Sequence, residues 1–304
     1  MEETIALSNG VRLPRIGFGP GGMGYTPNVM RRPSRALPAR VWRRLVALPR
    51  MRWSYVHAIA EAIRAGFRLI DYSAAYGDGK AIAEAVRLSG VPREELFLTG
   101  RVSNRAQFQG QEAVEREVAG ILAGYGVERV DLLMFHWPVT GRYVATWETL
   151  CRLYERGLAR AVGVANCHPH HLEALEAHGL RPMLNQVEVH PLFTQKSLVA
   201  WCQARAIVVE AYTPIARFDD RLMRLPALHH IAEAHGKTPT QVVLRWHLQR
   251  GVVPVIRSLN PKRQREDFDV FGFELTETEM ATIDGFDIGS RLRYDPDNCD
   301  FTIL

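Results

Sequence analysis

Residues 130 to 138 read V-D-L-L-M-F-H-W-P, a short apolar run that ends in a histidine, a tryptophan and a proline. A run of this length with little alternation of apolar and polar positions suits a strand buried on both faces, as a parallel sheet requires, and leaves His136 at its C-terminal end. The same form recurs along the chain. R-I-G-F-G ends near Gly19, R-L-I-D-Y near Tyr72, L-F-L-T near Thr99, A-V-G-V near Val164, M-L-N-Q-V near Val187, I-V-V-E-A-Y near Tyr212 and V-V-P-V-I near Ile256, which with the first makes eight. Segments of helical periodicity lie between them, residues 112 to 122 and 146 to 154 among them, and Gly66 stands where a helix C-cap would. Strand and helix alternating every 25 to 45 residues, roughly, imply parallel strands with crossover helices. Eight such units in 304 residues predict an α/β fold, a (β/α)8 TIM barrel forming one domain over residues 1 to 304. I-A-L-S-N-G-V-R-L-P, turned at Asn9-Gly10, predicts a small N-terminal β-hairpin ahead of the first barrel strand.

One spacing breaks the rhythm. About 50 residues separate the first two strands, so residues 24 to 55 read as an insertion in the first βα loop, which borders the active-site mouth of a barrel. The segment carries eight arginines, and no carboxylate occurs between Glu3 and Glu61. The formal net charge is +5, yet without these eight the chain holds 30 basic against 33 acidic residues, so the whole positive excess sits here. Four prolines in the segment suit a solvated basic loop. After Pro38, however, Val41, Trp42, Leu45 and Val46 share one face among arginines, as in a short basic amphipathic helix able to cover an anionic substrate. Nucleic acid is a poorer fit, since there is one basic patch and no recognised binding module.

Other classes are set aside. Cys151, Cys167, Cys202 and Cys299 are widely spaced and form no C-x-x-C, which fits reduced thiols and a cytoplasmic protein. The acidic start M-E-E lacks a signal-like apolar run, and no stretch approaches the ~18 apolar residues of a membrane span. G-F-G-P-G-G at residues 17 to 22 formally satisfies a dinucleotide-binding G-x-G-x-x-G, but Pro20 and the nearby glycines cannot open a helix. No acidic residue follows at the ~20-residue distance that a ribose contact needs. The glycines read instead as a flexible active-site loop.

Asp71, Tyr76, Arg101 and His136 fall at or just beyond the ends of the second, third and fourth strands, where barrel enzymes keep their chemistry. D-Y-S-A-A-Y-G, F-H-W-P, G-V-A-N, N-Q-V-E-V-H-P, A-Y-T-P and the late V-I-R-S with K-R-Q-R-E-D occur in order at barrel-like intervals. Through them the chain resembles the aldo-keto reductase family over nearly its whole length, residues 24 to 55 excepted. The resemblance implies NADPH-dependent reduction of an aldehyde or ketone, with Tyr76 as general acid, Asp71 as its orienting partner and His136 polarising the carbonyl. Arg101 stands where the family has a lysine. Hydride addition leaves an alkoxide that must receive a proton, and an ordinary tyrosine, pKa ~10, holds its proton tightly, so a nearby cation is expected to lower that pKa. Arginine brings the charge in a wider planar group with a fixed fork of donors, and the exchange is not conservative.

The resemblance further assigns the cofactor's nicotinamide amide to Asn166 and Gln186, with Tyr212 stacked on the ring and Ala165 in place of the usual serine. Arg257, Ser258 and Arg263 would clasp a 2′-phosphate, for which arginine's bidentate geometry is suited, favouring NADPH over NADH. Glu266 and Asp267 would face the adenosine, Asp267 replacing the usual asparagine. Gly21 stands where a bulky pocket aromatic is frequent. His168, His170 and His171 in C-H-P-H-H invite a metal assignment, but no carboxylate or cysteine pair completes a plausible ligand set, so no metal is expected. His229-His230, ahead of a helix-like stretch, is expected at the surface. Two other functions fit the same residues: a cofactor-bound regulatory or partner-binding protein disabled by Arg101, or a reductase of an imine or conjugated double bond. The expected partner is a small-molecule carbonyl compound, with an anionic or carrier-bound one suiting the basic segment.

Overall fold

The structure, a computed structural model, describes residues 3–21, 48–76 and 79–303. Eight parallel strands close into a barrel in sequence order. They are β3 (Gly17–Phe18), β4 (Leu69–Asp71), β5 (Phe97–Val102), β6 (Val130–Phe135), β7 (Ala159–Ala165), β8 (Leu184–Glu188), β9 (Val208–Tyr212) and β10 (Val252–Ile256), with β10 pairing back onto β3. Each of the eight apolar runs is a barrel strand. An antiparallel pair, β1 (Thr4–Ala6) and β2 (Arg12–Pro14), precedes them. In its turn Gly10 takes φ +84° and Asn9 Oδ1 accepts from the Val11 amide at 3.2 Å.

Helices cover the barrel's outer face. The predicted helical stretches sit inside Gln111–Tyr125 and Tyr143–Glu155. Helix Leu48–Arg64 ends before Gly66, whose φ of +118° needs glycine and where a Cβ would run into the Phe268 ring. Residues 24–47, including the expected amphipathic face at Trp42 and Leu45, lie outside the described residues. Residues 48–55, the rest of the expected insertion, form the first half of helix Leu48–Arg64, which crosses from β3 to β4. They belong to the barrel because Tyr55, Val56 and Ile59 are buried in the core, and the Tyr55 hydroxyl donates to the Gly21 carbonyl at 2.6 Å.

A large apolar core joins strands to helices, with Phe18, Phe67, Phe135, Trp147 and Trp246 fully buried, and a small separate cluster holds Trp137, Val139 and Phe301. Each such side chain contributes about 1.5–3 kcal/mol of transfer free energy. Gly17 and Gly19 serve packing: a Cβ on Gly17 would press on Leu69 and one on Gly19 on Val255. His229 and His230 are exposed, within helix Pro226–Ala234 and not ahead of it. The four cysteines are free thiols. No helix among the described residues is long and apolar enough to cross a membrane.

Candidate active site

Side chains alternate along a strand, so each barrel strand sends every second residue inward. The register sets Asp71 beside Thr99 and Arg101 beside Met134, and the His136 amide donates to the Val102 carbonyl at 3.0 Å. Asp71, Arg101 and His136 therefore rise stepwise around the C-terminal mouth. Tyr76 comes from the 3-10 turn Ala74–Tyr76 beyond β4, and its ring meets the His136 imidazole edge-on, centroids 6.1 Å apart. All four expected residues are brought together.

Arg101 lies buried beside Asp71 at the rim. Its guanidinium donates directly to Asp71 Oδ1, with both residues buried, and its charge acts on the Tyr76 phenol. The effect on Tyr76 differs from the expectation. Burial pushes the phenol's pKa above 10, Arg101 pulls it back and Asp71 adds to the rise, so the cation offsets burial without overcoming it. His136 goes the other way: burial, then the charges of Arg101 and Arg293, hold its pKa well below 6.5, and the imidazole is neutral.

Sequence reasoning missed Glu210. It points inward from β9, is wholly buried, and accepts from the Gln186 amide. Burial and repulsion from Asp71 push its carboxyl up to about 8, against the pull of Gln186 and Arg101. At neutral pH it is mostly protonated. The signal was available, since Glu210 stands two residues before Tyr212 and so shares its inward face, but in V-V-E-A-Y a single acid is easily read as an interruption.

The expected cofactor residues form two groups. Asn166, at φ +60° beyond β7, donates to the His136 carbonyl at 2.9 Å and accepts from the Tyr212 hydroxyl at 2.7 Å. Gln186 lies on the strand between them, but its amide is turned inward onto Glu210. Arg257 and Ser258 follow β10, and Arg263 lies in the first turn of helix Pro261–Phe268, capped by Asn260. Glu266 is half-buried; Asp267 is buried, and burial plus Glu266 push its carboxyl up to about 7, with Arg263 easing it. Arg263 also sits over the Phe218 ring at 5.9 Å. Phe218, which the sequence did not mark, ends a loop in which Ala216, Arg217 and Phe218 all have positive φ. Three consecutive left-handed non-glycine residues are costly, and such strain concentrates at ligand sites.

Residues 52–288 match the model of the Aldo/keto reductase family. The chain belongs to that family. It is 36% identical over 298 residues to the 9,11-endoperoxide prostaglandin H2 reductase of Trypanosoma cruzi (strain CL Brener), covering 97% of this chain and 95% of that protein. To the methylglyoxal reductase DkgA of Yersinia pestis it is 36% identical over 243 residues, covering 79% and 86% respectively. Among solved structures, a mutant of Gox0644 in complex with NADPH superposes with a TM-score of 0.84 at 29% identity, covering 99% of each chain.

In this aldo/keto reductase chain the histidines of residues 168 to 171 do acquire a carboxylate, from the far C-terminal segment. His168 Nδ1 lies 2.7 Å from Asp297 Oδ2 and His170 Nε2 lies 3.2 Å from Oδ1. His171 accepts the His168 amide at Nδ1, which commits its lone pair to the helix cap; burial, then His170, brings its pKa to about 4. The carboxylate is more than 120 residues away in sequence and could not be seen there. The contact ties the C-terminal segment to the mouth.

Proposed function

We propose that this chain is an NADPH-dependent oxidoreductase that reduces an aldehyde or ketone to an alcohol, with Tyr76 as the general acid. The observation that carries the proposal is the buried Asp71–Arg101 pair holding its guanidinium against Tyr76, opposite a neutral His136. When bound, NADPH supplies a hydride to the carbonyl carbon. The developing oxyanion lies between Tyr76 and His136 in this reading. A neutral imidazole N–H is a far weaker acid than a phenol, so His136 donates a hydrogen bond while Tyr76 transfers the proton. Arg101 then stabilises the phenolate left behind, and Asp71 holds the guanidinium in place.

The residues present suit the cofactor. Asn166 and Tyr212 are joined across the mouth, and Gln186 would turn from Glu210 to join them. Arg257 and Ser258 follow β10 and Arg263 lies in the first turn of helix Pro261–Phe268, and in this reading their two guanidinium groups would meet a 2′-phosphate there. The likeness to an NADPH complex and to named reductases supports the same reading. The engagement of Arg101 with both Asp71 and Tyr76 favours a working site over a disabled one. The test is NADPH oxidation followed spectrophotometrically against aldehydes, ketones, imines and conjugated enones. Turnover of the first two classes is expected; turnover of only the last two, or of none, would overturn the proposal.

A further inference from the structure

The segment from residue 286 onward returns across the mouth and is held at several points. The amides of Ile288 and Ser290 donate to the Leu192 carbonyl at 3.3 and 2.9 Å, and those of Leu292 and Arg293 to the two oxygens of Glu188 at 2.6 and 2.8 Å. Asp297 is held by His168 and the Phe301 carbonyl by Asn104. Glu188 ends β8, in register with Tyr212 of β9, so the Arg293 backbone is fixed directly over the strand ends that carry the expected nicotinamide residues. Glu188 is wholly buried. Burial opposes its ionisation, but bonds from His190 and from the Leu292 and Arg293 amides outweigh this and hold the carboxyl below the ordinary range. An ionised anchor of this kind keeps the segment in place.

Arg293 itself is half-buried, and its guanidinium lies 5.5 Å from the Tyr294 ring centre with no carboxylate within ion-pair distance among the described residues. Its backbone is fixed beside Tyr212 at the strand ends of the mouth, and its positive charge reaches Tyr76, His136 and Tyr212. Arg291, which also acts on Tyr212, is turned onto the Phe193 ring at 4.7 Å, and the charges deeper in the mouth are matched. Arg101 is neutralised by Asp71, Glu188 is held by His190 and the two amides, and Glu210 is mostly protonated at neutral pH. A guanidinium withdrawn from bulk water with its backbone fixed and no counter-ion is poised for an anion.

We propose that Arg293 anchors a carboxylate or similar anionic group of the carbonyl substrate, so that the enzyme prefers aldehydes and ketones carrying a negative charge beyond the reacting carbonyl. This rests on the reductase reading above. The group it binds belongs to the substrate, since the phosphate-binding residues of that reading lie at the end of β10, and the charge of Arg293 reaches Tyr76 and His136. A charge-assisted pair in such a setting changes affinity about 10- to 100-fold.

The experiment compares 4-carboxybenzaldehyde with its neutral methyl ester, methyl 4-formylbenzoate, in the wild type, Arg293→Ala and Arg293→Lys. The wild type is expected to show the higher kcat/KM for the acid. The acid-to-ester ratio should fall about 10- to 100-fold in Arg293→Ala and recover in part in Arg293→Lys. An unchanged ratio overturns the proposal. Binding of 4-(hydroxymethyl)benzoate to the NADPH-loaded protein, measured by calorimetry, separates this idea from the reductase reading. Binding that is lost in Arg293→Ala supports the anion site even if neither aldehyde is turned over, and the reductase reading then fails alone. No binding to the wild type, or equal binding to both proteins, overturns the anion site.

Discussion

Replacing Glu210 by glutamine tests the electrostatics beneath the site without removing any group that faces the mouth. The carboxyl is wholly buried and its pKa is pushed up to about 8, from an ordinary value of 4.5, by burial and then by Asp71. An acid whose folded pKa is raised holds its proton more tightly in the fold than in the unfolded chain. It therefore brings no penalty below pH 4.5, lowers stability progressively as pH rises towards 8, and leaves the full penalty in place above that. At about 1.4 kcal/mol for each tenfold change in proton affinity, the penalty is on the order of 5 kcal/mol if Glu210 alone carries it. Glutamine keeps the shape and the bond to Gln186 but has no proton to lose. We expect Glu210→Gln to match the wild type at pH 5 within about 1 kcal/mol. It should exceed it by several kcal/mol at pH 9. The assay is urea unfolding followed by tryptophan fluorescence at pH 5, 7 and 9. Asp267, whose carboxyl is pushed up to about 7, titrates in both proteins and cancels in the difference. Parallel stability curves, or a wild type that is the more stable at pH 9, would refute the reasoning.

Tyr76→Phe should lower kcat by about 10²- to 10⁴-fold while leaving the NADPH Kd unchanged, because it deletes the proton donor without touching the phosphate residues; full turnover would assign protonation to another group. Arg257→Ala should weaken NADPH binding about 10- to 100-fold and NADH binding little, as read by fluorescence titration, and equal affinities of the wild type for the two cofactors would remove the 2′-phosphate assignment. Arg101→Lys should keep or raise carbonyl reduction, because the compact ammonium can still lie between Asp71 and Tyr76; complete loss would give the guanidinium a role of its own.

The barrel was legible because its evidence is local. Eight short apolar runs carry the strand pattern within themselves, and the ends of β4, β5 and β6 bring Asp71, Arg101 and His136 to one rim once parallel order is known. What escaped depends on distance or on environment. Asp297 reaches His168, and Arg293 reaches the mouth, only because Glu188, Leu192 and Asn104 fix a segment that follows the last barrel strand by more than 30 residues. The direction of the Tyr76 shift was misjudged for a related reason. The neighbouring cation can be read from the chain, but the depth of burial, which outweighs it, cannot. Positive φ at Ala216, Arg217 and Phe218 is equally invisible where no glycine announces it.

The arginine at position 101 narrows the chemistry open to the site. Burial alone would loosen its proton, yet Asp71 and Tyr76 more than reverse this and the net pKa rises further, so the guanidinium stays charged throughout. His136 is held neutral and has no extra proton to give. Of the groups that can lose a proton, Tyr212 is committed to Asn166, and the fold separates Tyr76 from Glu210: Tyr76 borders the mouth, whereas Glu210 is wholly buried. In the proposed reading, product protonation then falls to Tyr76. A lysine at position 101 would restore a cation able to share its proton with the phenol, so Arg101→Lys also reads out how far the reaction depends on a fixed charge. If the fixed charge matters, the wild type should hold its kcat over a wider alkaline range than Arg101→Lys, and a pH profile that narrows in neither protein would show that it does not.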